Sequence, residues 1–194
     1  MARTGRPRAF DADEALDRAL DVFWSRGYAG TSIQDLVDEL AVQRGSLYAA
    51  FGDKHSLYLK AVQLYARRNR EQLAAMLESG PVLPALRRML LEPSTVTGAA
   101  TGRGCLMGNT TAELVPRDDE ARALATAAFD GFIEVVSDAL RRAQDAGEVT
   151  TATTPEAQAS LLLLLFQGSA LVSRATDRER LAAGIDAALD SLRP

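Results

Sequence analysis

Apolar positions recur at three- and four-residue intervals along most of this chain, a spacing that predicts helices. Leu16, Leu20 and Phe23 mark the buried face of a first helix, which Asp11 can cap with Glu14 three residues on. Gly27 and Gly30 break the chain. Thr31 is then expected to cap a second helix, with Gln34 three residues later and an inward stripe of Ile33, Leu36, Val37 and Leu40. Ala41-Val42 makes a tight connection to a third helix, from about Gln43 to Ala50, anchored inward by Leu47 and Phe51. Gln43, Arg44, Ser46 and Tyr48 are left facing out. Asp53 can cap a fourth helix, striped by Leu57, Ala61, Leu64 and Tyr65 and running to about Ser79 before Gly80-Pro81.

The remainder reads as further helices. A short one is expected over Leu83 to Leu91, followed by a loop over Glu92 to Gly104, rich in Thr, Gly, Ala and Pro. Another helix enters through Gly104-Cys105-Leu106-Met107 and ends near Pro116. A long helix spans Asp118 to Ala146, with stripes Leu124-Ala128-Phe132-Val135-Ala139 and Phe129-Ile133-Val136-Leu140. Pro155 opens the next at the favoured first position. That helix carries Leu161 to Phe166 and then the small residues Gly168, Ser169 and Ala170. Being apolar all round, it is expected to be buried between its own domain and a partner subunit. The last helix starts near Asp177, with Thr176 as the expected cap and a stripe of Leu181, Ile185, Ala188, Leu189 and Leu192. The fold class is therefore all-α.

The first three helices have the form of a helix-turn-helix. A helix that enters the DNA major groove needs one apolar side to lock onto its scaffold, and small or hydrogen-bonding residues at its N-terminal end. Gly45 and Ser46 permit close approach. Arg44 can donate to guanine and Gln43 can pair with adenine, whereas Thr31, Ser32, Tyr48 and Lys54 are expected to hold phosphates. The run Gly27-Tyr28, Thr31-Ser32-Ile33, Gly45-Ser46-Leu47-Tyr48, Phe51, Asp53-Lys54 and Leu57 resembles the DNA-binding domain of the TetR family of bacterial repressors. The resemblance implies a helix-turn-helix domain over 1–54 and a helical effector-binding and dimerisation domain over 55–194. It also implies a homodimer that binds double-stranded operator DNA and is released by a small-molecule effector. The fourth helix would then link the domains. The last two helices are expected to form the dimer interface as a four-helix bundle across a two-fold axis, the alternative being that they only complete the monomer core. Two recognition helices must meet major-groove faces roughly 34–36 Å apart, so an effector need only favour a conformation with the wrong spacing.

Charge changes the picture locally. The 194 residues carry a formal charge of −4, which argues against nonspecific nucleic-acid binding. Yet Arg3, Arg6 and Arg8 form a basic arm with no acid before Asp11, suited to phosphates or a minor groove, or else to a solvated terminus. The acids of the first helix, Asp13, Asp17 and Asp21, would point away from DNA. Arg67, Arg68 and Arg70 read as a solvated face of the fourth helix.

A single cysteine excludes an internal disulfide and suits a reducing cytoplasm. The start of the chain lacks the apolar core of a signal peptide, and Leu161 to Phe166 is too short to span a bilayer, so no membrane partner is expected. One Cys and one His cannot build a typical zinc site, so no metal is expected. No cofactor is expected either, and with no nucleophile elbow, phosphate loop or cysteine–histidine pair an enzyme is not expected; His55 reads as a solvated first-turn residue. A module that binds protein rather than DNA is the other alternative, and would lack salt-dependent DNA affinity.

Gly104-Cys105-Leu106-Met107-Gly108-Asn109, with Glu113 further on, resembles a TetR branch with a cysteine at the start of its sixth helix. Some members of that branch sense electrophiles or oxidants there. A helix N-terminus and the nearby Arg103 suit thiolate chemistry, while a free cysteine is also commonly a small buried hydrophobe. The only lysines are Lys54 and Lys60, both in or near the DNA-binding domain, so a cysteine–lysine switch within the effector domain is not expected. The expected effector pocket lies after residue 80, with Leu86, Met89, Leu90, Cys105, Met107, Phe129, Phe132 and Phe166 as its lining and Asn109 and Glu113 as polar candidates. Few charges fall within these stretches, which favours a fairly apolar or neutral ligand over a polyanion.

Overall fold

The computed structural model describes residues 11–78, 80–92 and 103–194, and all regular structure within them is helical. The basic arm of Arg3, Arg6 and Arg8 and most of the expected loop lie outside the described residues. The chain divides into two compact units, Met1–Val62 and Gln63–Pro194.

In the first unit, α1 spans Ala12–Arg26, α2 Ile33–Leu40 and α3 Arg44–Phe51, and α4 (Lys54–Glu78) begins there. Asp11 caps α1, its Oδ1 accepting from the amides of Asp13 (2.9 Å) and Glu14 (3.2 Å). The α2 cap differs from expectation. Ser32, not Thr31, holds the helix start, in a reciprocal box with Asp35: Ser32 Oγ accepts from the Asp35 amide at 3.0 Å and Asp35 accepts from the Ser32 amide at 2.7 Å. Thr31 is turned inward instead, 1% exposed, and its hydroxyl donates to Gly27 O at 2.7 Å. Gly30 is required by the turn before it, because a Cβ there would sit 2.3 Å from the Arg26 carbonyl oxygen. Ala41 makes the α2–α3 turn in the left-handed region, at φ 55°.

Asp53 Oδ1 caps α4 through the Ser56 amide at 2.7 Å. Leu57, Tyr58, Ala61 and Val62 of α4 are buried, and Tyr58 packs edge-on against Phe23 and Tyr28 with ring centroids 5.0 Å apart in both cases. The division between units therefore falls inside α4, because its opening turns supply core to the helix-turn-helix.

The second unit contains the rest of α4, then α5 (Val82–Leu91), α6 (Leu106–Glu113), α7 (Asp119–Asp145), α8 (Pro155–Val172) and α9 (Arg178–Asp190). Asp118 caps α7 and Thr154 caps α8. For α9 the cap is Asp177, accepting from the Arg180 amide at 2.8 Å, one residue beyond the expected Thr176. Helix α8 packs along α7, α9 packs on α5, and α5 also meets α8. Leu73, Leu86, Met89, Leu90, Leu106, Leu140 and Leu162 are fully buried in this core.

Helix α8 is not buried all round. Leu162, Phe166, Ser169 and Ala170 face the core, whereas Leu161, Leu164, Leu171 and Val172 are exposed, Leu164 to 71%. No helix among the described residues is long and apolar enough to cross a membrane.

Candidate nucleic-acid interface and effector cavity

Helix α3 presents the expected outward face. Gln43, Arg44, Gly45 and Tyr48 are exposed and Ser46 is half-buried, while Leu47 and Phe51 anchor the opposite side. A Cβ on Gly45 would meet nothing within 4 Å, so the α3 backbone is open to close approach there. Arg44 Nη2 donates to Gln34 Oε1 of α2 at 3.3 Å, a neutral partner that an incoming base can replace.

Two of the expected phosphate contacts have other work in this structure. Thr31 is buried as described. Lys54 donates through Nζ to the carbonyls of Tyr28 (2.8 Å) and Thr31 (2.7 Å) and stands 4.2 Å from the centre of the Tyr28 ring. Its charge is spent on satisfying the carbonyls of the α1–α2 turn, which have no helical partner. Ser32 and Tyr48 remain at the surface. On α1, Asp13 and Asp21 are exposed and Asp17 is half-buried.

The sequence reading missed the charges that hold α2 in place. Arg18 of α1 donates to the carbonyls of Glu39 and Leu40 at the end of α2. Arg26 pairs with Asp35 (3.1 Å) and with Glu39. The Ser32 hydroxyl and amide, then Arg26, hold the Asp35 carboxyl below its ordinary value of 3.8. These contacts join α1 to α2 across the chain, and no short motif records them.

Within the second unit, a cavity of about 50 Å³ lies among α4, α6, α7 and α8. Cys105, Met107, Phe129, Phe132 and Phe166 line it, as expected. Leu86, Met89 and Leu90 do not; they are fully buried in the packing of α5. The residues not foreseen are Tyr65, Asn69, Arg70 and Gln167. A second cavity of about 320 Å³ adjoins, lined by Gly108, Asn109, Ala170, Leu171 and Arg174 among others, and it shares Cys105, Phe129 and Gln167 with the first. Asn109 thus faces a cavity, whereas Glu113 lines neither of these two.

Cys105 is 5% exposed. Tyr65 Oη donates to its sulfur at 3.4 Å and accepts from the Leu106 amide at 3.2 Å. Gln167 Nε2 lies 3.7 Å from the same sulfur. Burial, then the neighbouring Cys105, push the Tyr65 phenol well above its ordinary value of 10.0, so it stays a protonated donor. Phe132 and Phe166 stack at a tilt with centroids 5.6 Å apart and form the apolar wall opposite.

With this geometry in view, the comparisons with known proteins divide along the same lines. Residues 15–61 match the bacterial regulatory proteins of the tetR family, and residues 82–189 match the tetracyclin repressor-like C-terminal domain. The chain is 33% identical over 147 residues to the uncharacterised HTH-type transcriptional regulator YezE of Bacillus subtilis, covering 75% of this chain and 76% of that protein. It is 26% identical over 156 residues to the HTH-type transcriptional repressor DhaR of Mycobacterium sp., covering 80% and 78%. Among solved structures, the TetR family regulator CifR, as a double cysteine mutant complexed with 26-bp double-strand operator DNA, is 31% identical with a TM-score of 0.79. It covers 96% of this chain and 99% of its own. The reduced form of Escherichia coli NemR shares the fold at 21% identity, with a TM-score of 0.78 over 91% of this chain and 95% of its own.

Proposed function

Because the chain belongs to the TetR family of bacterial regulators, we propose that it is a homodimeric cytoplasmic repressor, released from a palindromic operator by a small effector bound in the second unit. It is a DNA-binding transcriptional regulator of TetR type, and CifR was solved on operator DNA. The observation that carries the proposal is the exposed N-terminal face of α3, where Gln43, Arg44 and Gly45 stand at the surface of a helix locked by Leu47 and Phe51. Ser32 and Tyr48 supply phosphate contacts in this reading, and Arg3 and Arg6, outside the described residues, add positive charge. The bare strip of Leu161, Leu164, Leu171 and Val172 on α8 supports the dimer. The cavity at Tyr65, Phe129 and Phe166 supports an effector.

The test is binding of the full chain to the DNA upstream of its own gene, by fluorescence anisotropy across a salt series. Affinity that falls steeply with salt and depends on sequence is expected. Binding that ignores both would sink the operator reading.

One observation favours a second reading of the same cavity. Cys105 sulfur lies on the wall shared by both cavities, so a small molecule there meets a thiol. An α,β-unsaturated carbonyl compound would form an S–C bond at its β-carbon, the thiol proton ending on the α-carbon with no leaving group. Operator release by such a compound in the wild type but not in Cys105→Ser is the expected result. Equal release in both discards thiol sensing and leaves a noncovalent effector.

A further inference from the structure

We propose that the cavity among α4, α6, α7 and α8 takes a small monocarboxylate with an apolar body, its carboxylate received by Arg70 in place of Glu134. This rests on reading the second unit as an effector-binding unit, and adds to it the chemistry of the ligand.

The polar lining is Tyr65, Asn69 and Arg70 of α4 with Gln167 of α8, and apart from Cys105 the rest is apolar. Among the described residues, Arg70 is the only charged one in that lining, and no Asp or Glu belongs to it. Tyr65 is already committed, donating to Cys105 and accepting from Leu106. The guanidinium is therefore the group left to receive a ligand's charge.

Arg70 lies across the middle of α7 at the buried Gly131, where even a Cβ would be at ordinary van der Waals distance, 3.4 Å from Nη1 and 3.6 Å from Cδ. One turn on, Glu134 Oε2 accepts from Arg70 Nη2 at 2.7 Å. Both side chains are more than half exposed, at 53% and 62%, so the pair is screened and weak. A ligand carboxylate can take the arginine, whose planar fork suits a bidentate oxygen pair, while Glu134 returns to water.

Size and charge narrow the class. A half-open space of about 50 Å³ holds only a few heavy atoms, so the ligand body is short or extends beyond the rim. A second carboxylate would have to lie among Leu73, Phe129, Phe132 and Phe166 without a cation, which is costly.

The experiment is calorimetric titration of the full-length protein with butyrate and benzoate against their matching amides. The wild type is expected to bind a carboxylate at least about tenfold more tightly than its amide. Arg70→Gln should remove that difference and leave amide binding where it was, and Glu134→Gln should tighten carboxylate binding by roughly threefold because a competitor is gone. Carboxylate and amide binding alike, or heat from neither, overturns the proposal, as does a Glu134→Gln variant that binds carboxylates less well. Operator release is measured separately. A carboxylate that binds without releasing DNA keeps the ligand class and defeats the effector reading; release by a neutral compound, with no carboxylate binding, does the reverse.

Discussion

From Asp11 to Val62, side chains within three residues start α1, α2 and α4, though not α3, and Arg18 and Arg26 brace α1 against α2. From Gln63 onward, α7, α8 and α9 are capped in the same way and Arg87–Asp186 and Arg141–Glu156 brace neighbours, but the groups facing the cavity come from four helices, α4, α6, α7 and α8. The first unit concentrates its chemistry in a few consecutive residues, because a groove-reading helix must offer one short polar face. The second disperses it, because a cavity is walled by whichever residues several helices turn toward one point.

The strongest challenge to this contrast is a pair of charges on the bare strip of α8. Leu164→Glu with Leu171→Glu should give a monomer in sedimentation and cost operator affinity about a hundredfold or more, since two half-sites no longer act together. A dimer that persists would mean that the exposed leucines serve something else.

The next comparison sets one core substitution in each unit side by side. Leu36→Ala and Leu140→Ala both remove fully buried side chains and should each cost about 2–5 kcal/mol. In urea unfolding, a domain-wise protein would show Leu36→Ala shifting one transition and Leu140→Ala another; a single transition moved equally by both would show that the units unfold together.

Smaller effects separate reading from scaffolding at the DNA face. Arg44→Ala should cost roughly 1–3 kcal/mol on the preferred operator and relax sequence preference. Lys54→Met should instead appear as lost stability, about 1 kcal/mol, through the hydrogen bonds lost at the Tyr28 and Thr31 carbonyls. Normal stability with uniformly weakened DNA binding would return Lys54 to the phosphates.

Smallest is the cap. Ser32→Ala should cost about 1 kcal/mol and alter the acid limb of stability. Asp35 is held below its ordinary value of 3.8, chiefly by Ser32. Its stabilising contribution is therefore full above that value and fades as pH falls through the lowered one. Loss of Ser32 should flatten the limb below about pH 4, as followed by circular dichroism; an unchanged limb would mean Arg26 suffices.

The contrast between units also explains what could be read from residues alone. The helices, the α3 face and the aromatic part of the cavity follow from periodicity, since burial repeats with the turn of the helix. Two caps were displaced by one residue, Thr31 for Ser32 and Thr176 for Asp177, where two cap-forming residues adjoin and the fold decides which turns inward. Leu86, Met89 and Leu90 pack on all sides instead of lining the cavity, a difference that apolar composition does not carry. Arg70 and Gln167 were missed for the opposite reason. A polar residue on a helix face reads as solvated until its neighbours on other helices are known.

Gly108 shows how little chemistry separates the two cavities. A Cβ at that position would lie 2.7 Å from Gln167 Oε1, and Gln167 with Cys105 forms the partition. One added methyl group would push that flexible amide aside and reshape a wall that the two cavities share. In the proposed reading, a change at a single codon would therefore reshape the effector wall while leaving the α3 face untouched.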